Sequence, residues 1–91
     1  MAHVQYKGSD AIKEHLLAGH EISVIEAVLI FGVQNLNSEL TRLRKTGFVV
    51  QKRRVPMAKI LRRANQFCEV KAPSNLPIRE ILVTEYWLSN V

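Results

Sequence analysis

The sequence predicts an α+β domain in which three helices precede an antiparallel pair of strands. Three observations carry this reading. Apolar residues recur at helical spacing through the first half of the chain, Gly19, Gly32 and Gly47 each close one helical run, and β-favouring residues gather at 48–53 and again at 78–88. Ninety-one residues hold one modest core, so 9–91 is read as a single domain preceded by a flexible arm at 1–8.

The arm has no period, and Val4 and Tyr6 are expected to lie against the body. The first helix starts at Ser9 or Asp10, either of which can accept from free backbone amides, carries Ile12, Leu16 and Leu17 on one side, and stops at Gly19. A second start follows at Ser23, where Glu26 three residues on completes a Ser-x-x-Glu capping box. That helix should run to about Phe31. With Ile25, Ala27, Val28, Leu29 and Ile30 it is apolar almost all round, which predicts a buried central helix.

The third helix is expected over 34–45. At 100° per residue Leu36, Leu40 and Leu43 form one stripe, leaving Gln34, Ser38, Thr41 and Lys45 opposite, with Asn37 and Arg42 flanking. One face is anchored and the other is offered. Beyond Gly47, residues 48–53 read as a strand. Pro56 suits the first position of a fourth helix, where its missing N–H costs nothing, and Met57, Ile60, Leu61, Ala64 and Phe67 recur at helical spacing. Residues 72–77 are turn-rich, and 78–88 reads as a strand returning to pair with 48–53 as an antiparallel wing.

The order of these elements is that of a winged helix-turn-helix with an extra helix inserted in the wing. The run Ile22-Ser23-Val24-Ile25-Glu26-Ala27-Val28-Leu29-Ile30-Phe31-Gly32-Val33, followed by Leu36, Leu40 and Leu43-Arg44-Lys45-Thr46-Gly47-Phe48-Val49-Val50, resembles the small winged helix-turn-helix proteins of bacteriophages and prophages. The resemblance covers 9–52. It departs from the usual pattern in two places. Ala27 and Gly32 stand five residues apart where four is usual, which implies a wider turn or a shifted register, and 55–77 is much longer than a minimal wing loop.

Composition narrows the function classes. The net charge is +5, and its distribution says more than its sum. Arg42, Arg44, Lys45, Lys52, Arg53, Arg54, Lys59, Arg62 and Arg63 follow one another with no Asp or Glu between Arg42 and Arg63. Such a zone suits phosphate contact. The resemblance implies double-stranded DNA as partner, with Gln34, Asn37, Ser38, Thr41, Arg42 and Lys45 on the reading helix and Asn37, Ser38, Thr41 and Arg42 nearest the bases. Lys52, Arg53 and Arg54 would meet phosphates from the wing, and Lys59, Arg62 and Arg63 would form a second phosphate patch. Plainer readings stand beside these: a solvated helix face, an edge strand charged against aggregation, and a merely soluble surface.

Other chemistry finds little footing. Cys68 is the single cysteine, which excludes an internal disulfide and a cysteine-rich zinc site and fits a partly buried, inert thiol in a reducing compartment. No apolar run is long enough to cross a bilayer and the first residues lack a secretory signal, so a soluble cytoplasmic protein is expected. His3, His15 and His20 are scattered without a metal-binding pattern, and there is no phosphate loop or nucleophile motif. No catalytic residue, metal, cofactor or small-molecule ligand is therefore expected. Glu80 and Glu85 read as sheet-surface carboxylates. Tyr86 and Trp87 point to opposite sides of a strand, one packing and the other exposed, where it could join a homodimer. Three roles stay open: a transcriptional regulator, an architectural excision or replication factor that bends DNA, and a winged-helix adaptor that holds another protein.

Overall fold

Helix α1 (Gly8–Leu17), strand β1 (Ile22–Ser23), helices α2 (Val24–Leu29) and α3 (Leu36–Lys45), strand β2 (Val50–Pro56), helix α4 (Met57–Ala64) and strand β3 (Leu82–Leu88) follow in order in a computed structural model that describes residues 7–89. The expected arm lies outside the described residues apart from Lys7 and Gly8, and Gly8 already opens α1.

The three strands form an antiparallel sheet in the order β1-β3-β2. Strand β2 pairs with β3 along its whole length, from Val50 opposite Leu88 to Pro56 opposite Leu82. Proline is tolerated there because β2 is an edge strand and its missing N–H breaks no ladder. The two-residue β1 pairs Ile22 with Tyr86 and Ser23 with Glu85 on the other edge of β3. Sequence patterning shows no such strand, since two residues carry no period. The returning strand also starts later than expected: Glu80 and Ile81 donate back to the Pro77 carbonyl, and the ladder begins at Leu82.

Capping chemistry sets the helix boundaries. Ser23 and Glu26 form the expected box, with the Ser23 hydroxyl oxygen accepting from the Glu26 amide and Glu26 Oε1 accepting from the Ser23 amide. The third helix begins later than predicted. Asn35 Oδ1 accepts from the Ser38 amide, which places the cap at Asn35 and leaves Gln34 in the preceding loop. At its other end the Phe48 amide donates to the Leu43 carbonyl and the Gly47 amide to that of Arg44, with Gly47 at φ +100°. This closure needs a left-handed residue. Gly47→Ala meets no steric obstacle, so its cost is backbone strain of about 1–2 kcal/mol. In thermal melting each kcal/mol should lower the midpoint by roughly 4–8 °C, and an unchanged midpoint would show that this closure does not matter.

The turn between α2 and α3 is indeed wide. At its start the Val33 amide reaches back six residues to the Ala27 carbonyl, one residue further than the matching bond at the end of α3. Gly32, at φ +67°, supplies the conformation this requires.

Ile12, Leu16, Ile22, Ala27, Leu36, Leu40, Leu43 and Leu88 make the main core, with Phe31, Val33, Phe48, Val50 and Tyr86 packed around it. Each buried leucine of the α3 stripe contributes about 1.5–3 kcal/mol relative to an exposed one, enough to fix that face inward. Helix α4 packs against β2, β3 and α2, and its Ile60 and Ala64 are buried, as is Val55 of β2. Two expectations fail here. Helix α2 is not buried all round, because it has only six residues and its outer side, Val24, Val28 and Leu29, is over 40% exposed. Phe67 is 65% exposed, since α4 ends at Ala64 and the following turn carries Phe67 off the apolar stripe.

Candidate nucleic-acid interface

Helix α3 presents its polar side as the spacing predicts. With Leu36, Leu40 and Leu43 turned inward, Asn37, Ser38, Thr41, Arg42 and Lys45 line a shallow depression of about 350 Å³ together with Asn35. Gln34 is exposed but does not line it. The Thr41 hydroxyl donates to the Asn37 carbonyl at 2.8 Å, which leaves an oxygen lone pair and the methyl group facing out. Arg42, its side chain 69% exposed, donates from Nη1 to Glu39 Oε1 at 2.9 Å. Arg42, Arg44 and Lys45 crowd the last turn, where the partial negative charge of the helix end favours cations.

The remaining cations fall into two sets. Lys52 and Arg54 are exposed on β2, and among the described residues neither forms an ion pair. Arg53 lies between them and, by the period of a strand, turns to the opposite face. There it meets Glu85 directly, reaches Glu21 at 3.7 Å, and lies 5.0 Å over the Trp87 ring. Lys59 and Arg63, four apart on α4, come to the same place. Lys59 Nζ is 3.3 Å from Glu85 Oε2, while Arg63 grips Glu26 with Nε at 2.8 Å and with Nη2, and donates to Glu85 Oε1 at 2.9 Å. Arg62 stays outside this cluster.

The cluster corrects the reading of Glu85 as a surface carboxylate. Its residue is fully buried, because β3 is the central strand and α4 covers the face that carries it. Glu26 is also buried, held by the capping box on one side and Arg63 on the other. Burial pushes the Glu85 carboxyl up, but hydrogen bonds from Arg53 and Arg63 and the charges of Arg63 and Lys59 prevail and hold it below the ordinary carboxylate range. The Arg63 guanidinium is raised, chiefly by its hydrogen bond to Glu26 against the cost of burial. The apparently unbroken basic zone is thus partly neutralised by Glu21, Glu26 and Glu85, all of which lie outside 42–63 in sequence. Of the pair expected to have one packed and one exposed member, Tyr86 packs on the core and Trp87 is half-buried under Arg53, so neither is fully exposed.

Elsewhere the His15 ring stacks at 4.9 Å from that of His20 and donates from Nε2 to the Glu21 carbonyl. Cys68 is half-buried, its Sγ 3.7 Å from the Ala64 carbonyl oxygen. Among the described residues no helix is long and apolar enough to cross a membrane.

A helix docked by an apolar stripe, reached through a glycine turn from a capped helix and followed by an antiparallel strand pair, defines a winged helix-turn-helix. The class suggests DNA binding. The chain belongs to the winged helix-turn-helix domain family, whose model matches residues 9–67. Comparison with curated proteins and with solved structures gives no match.

Proposed function

We propose that this chain is a sequence-specific double-stranded DNA-binding protein that regulates transcription, with α3 lying in the major groove and β2 following the backbone. The observation that carries this reading is the outward face of α3: short polar and amide side chains beside Arg42 and Lys45, on a helix whose other face is fixed in the core. Amides and hydroxyls distinguish base edges, a threonine methyl packs on that of thymine, and arginine or lysine reaches guanine. The likeness of 22–50 to phage and prophage proteins supports a regulator of a phage or prophage genome.

Lys52 and Arg54 act as the wing contacts in this reading, while Arg53, Lys59 and Arg63 hold the fold. Affinity for duplex DNA should fall steeply with salt, and binding that is absent or insensitive to salt would refute the proposal. Changing Lys52 and Arg54 together to Ala should weaken binding to all sequences alike and lower the steepness of log affinity against log salt by about 1.8. Arg53→Ala, by contrast, should register mainly in thermal melting. A larger salt effect from Arg53 than from the Lys52 and Arg54 pair would show that wing contact and scaffold had been exchanged.

A further inference from the structure

Helix α4 has two flanks with different surroundings. At 100° per residue Lys59 and Arg63 share one flank, and Ala58, Leu61, Arg62 and Asn65 share the other. The first flank meets Glu26 and Glu85. The second, with the returning segment 70–79, bounds an open groove of about 500 Å³. Arg62 and Arg79 both line it, both are exposed, and no carboxylate does. Among the described residues neither arginine takes part in an ion pair, and Glu80, the neighbour of Arg79, lies outside the groove.

Backbone bonds hold the groove together at both ends. The first free amides of α4, those of Met57 and Ala58, donate to the carbonyls of Ile81 and Ile78 at 2.8 and 3.0 Å, so the segment carrying Arg79 is pinned to the start of the helix. At the other end Asn65 Oδ1 accepts from the Val70 amide and its Nδ2 donates to the Leu61 carbonyl, both at 2.8 Å. The two walls that carry Arg62 and Arg79 are therefore tied to each other at both ends.

We propose that this groove binds the sugar-phosphate backbone of DNA flanking the stretch read by α3. The proposal rests on the DNA-binding reading above and adds Arg79, which lies beyond the residues matched by the family. Strand β2 leaves the α3 core at Val50 and delivers α4 at Pro56, six steps or about 20 Å away. A duplex carries one phosphate per strand for about every 3.4 Å of its axis, so a span of this order is within the length of a bound duplex. Two arginines without a carboxylate beside them complement a polyanion, and the reading of α3 already supplies a polyanion of this kind. Arginine suits the role because its planar fork matches phosphate oxygens in pairs.

The test uses the full chain and a fluorescein-labelled, mixed-sequence duplex of three helical turns, reading binding by anisotropy across a salt series. The double variant Arg62→Ala with Arg79→Ala should have a salt slope shallower by about 1.8 than the parent chain, with an unchanged circular dichroism spectrum. Lys71→Ala, a cation in the same segment but outside the groove, should keep the parent slope, as should Arg62→Lys with Arg79→Lys. A parent slope in the double Ala variant overturns the proposal. So does an unchanged DNA slope accompanied by lost binding of a fluorescent oligoglutamate peptide, which would assign the groove to an acidic partner. If the parent chain itself shows no salt-dependent DNA binding, it is the broader functional reading that fails, and the groove assignment with it.

Discussion

Arg63→Met should destabilise the fold by about 3–5 kcal/mol, a large part of the total for a domain this small. The asymmetry of the cluster is the reason. Glu26 and Glu85 have side chains 3% and 0% exposed, whereas those of Arg53 and Lys59 are nearly half in water. Without Arg63, Glu26 has no other ion-pair partner among the described residues and keeps its capping hydrogen bonds to Ser23. Lys59→Ala, removing a half-solvated partner, should cost no more than about 1 kcal/mol. Denaturant melts of the two variants would check the order, and equal losses would mean that the pairs act independently. Adding Glu26→Gln and Glu85→Gln to Arg63→Met should recover much of the loss, because neutral amides are cheaper to bury than unpaired carboxylates.

The same geometry fixes the sign of an acid response. A carboxyl whose folded value is depressed stabilises the fold above its unfolded value, about 4.3 for Glu, and that contribution disappears as pH falls through the lower folded value. Melting midpoints of the parent chain should therefore fall on acidification below about pH 4.3, and those of Glu85→Gln should fall less.

What could be read from the sequence follows from how local each cause is. The Ser23 and Glu26 box, the leucine stripe of α3 and the glycine closures act within a few residues, so their patterns are visible and the structure contains them. The α3 start is a near miss of the same kind: Gln34 and Asn35 are both polar, and only the cap geometry selects Asn35. Strand β1 could not be read because its existence depends on an open edge of β3, some sixty residues further along. The partition of the basic zone was hidden for a related reason. A linear count shows nine cations from Arg42 to Arg63 and no acid, but folding brings Glu21, Glu26 and Glu85 into contact with three of them, Arg53, Lys59 and Arg63. One clue was available. Period two along β3 places Glu85 on the same side as Val83 and Trp87, an apolar setting in which a carboxylate calls for a cation.

At the reading helix, Arg42→Ala should reduce discrimination between a preferred site and mixed-sequence DNA by about 1–3 kcal/mol, roughly 5- to 150-fold in the affinity ratio. Its interpretation depends on Glu39. That carboxylate is 16% exposed and paired to Arg42, so on the proposed DNA-binding reading removing the arginine would both delete a base contact and leave a negative charge unpaired on α3. The two effects separate in the variants. Glu39→Ala alone frees Arg42 and removes the repulsion, which should raise affinity for all duplexes modestly while leaving discrimination intact. Combining Glu39→Ala with Arg42→Ala should restore general affinity but not discrimination. If instead the double variant recovers discrimination as well, Arg42 serves the phosphates only, and sequence is read by Asn37, Ser38 and Thr41 on the same face.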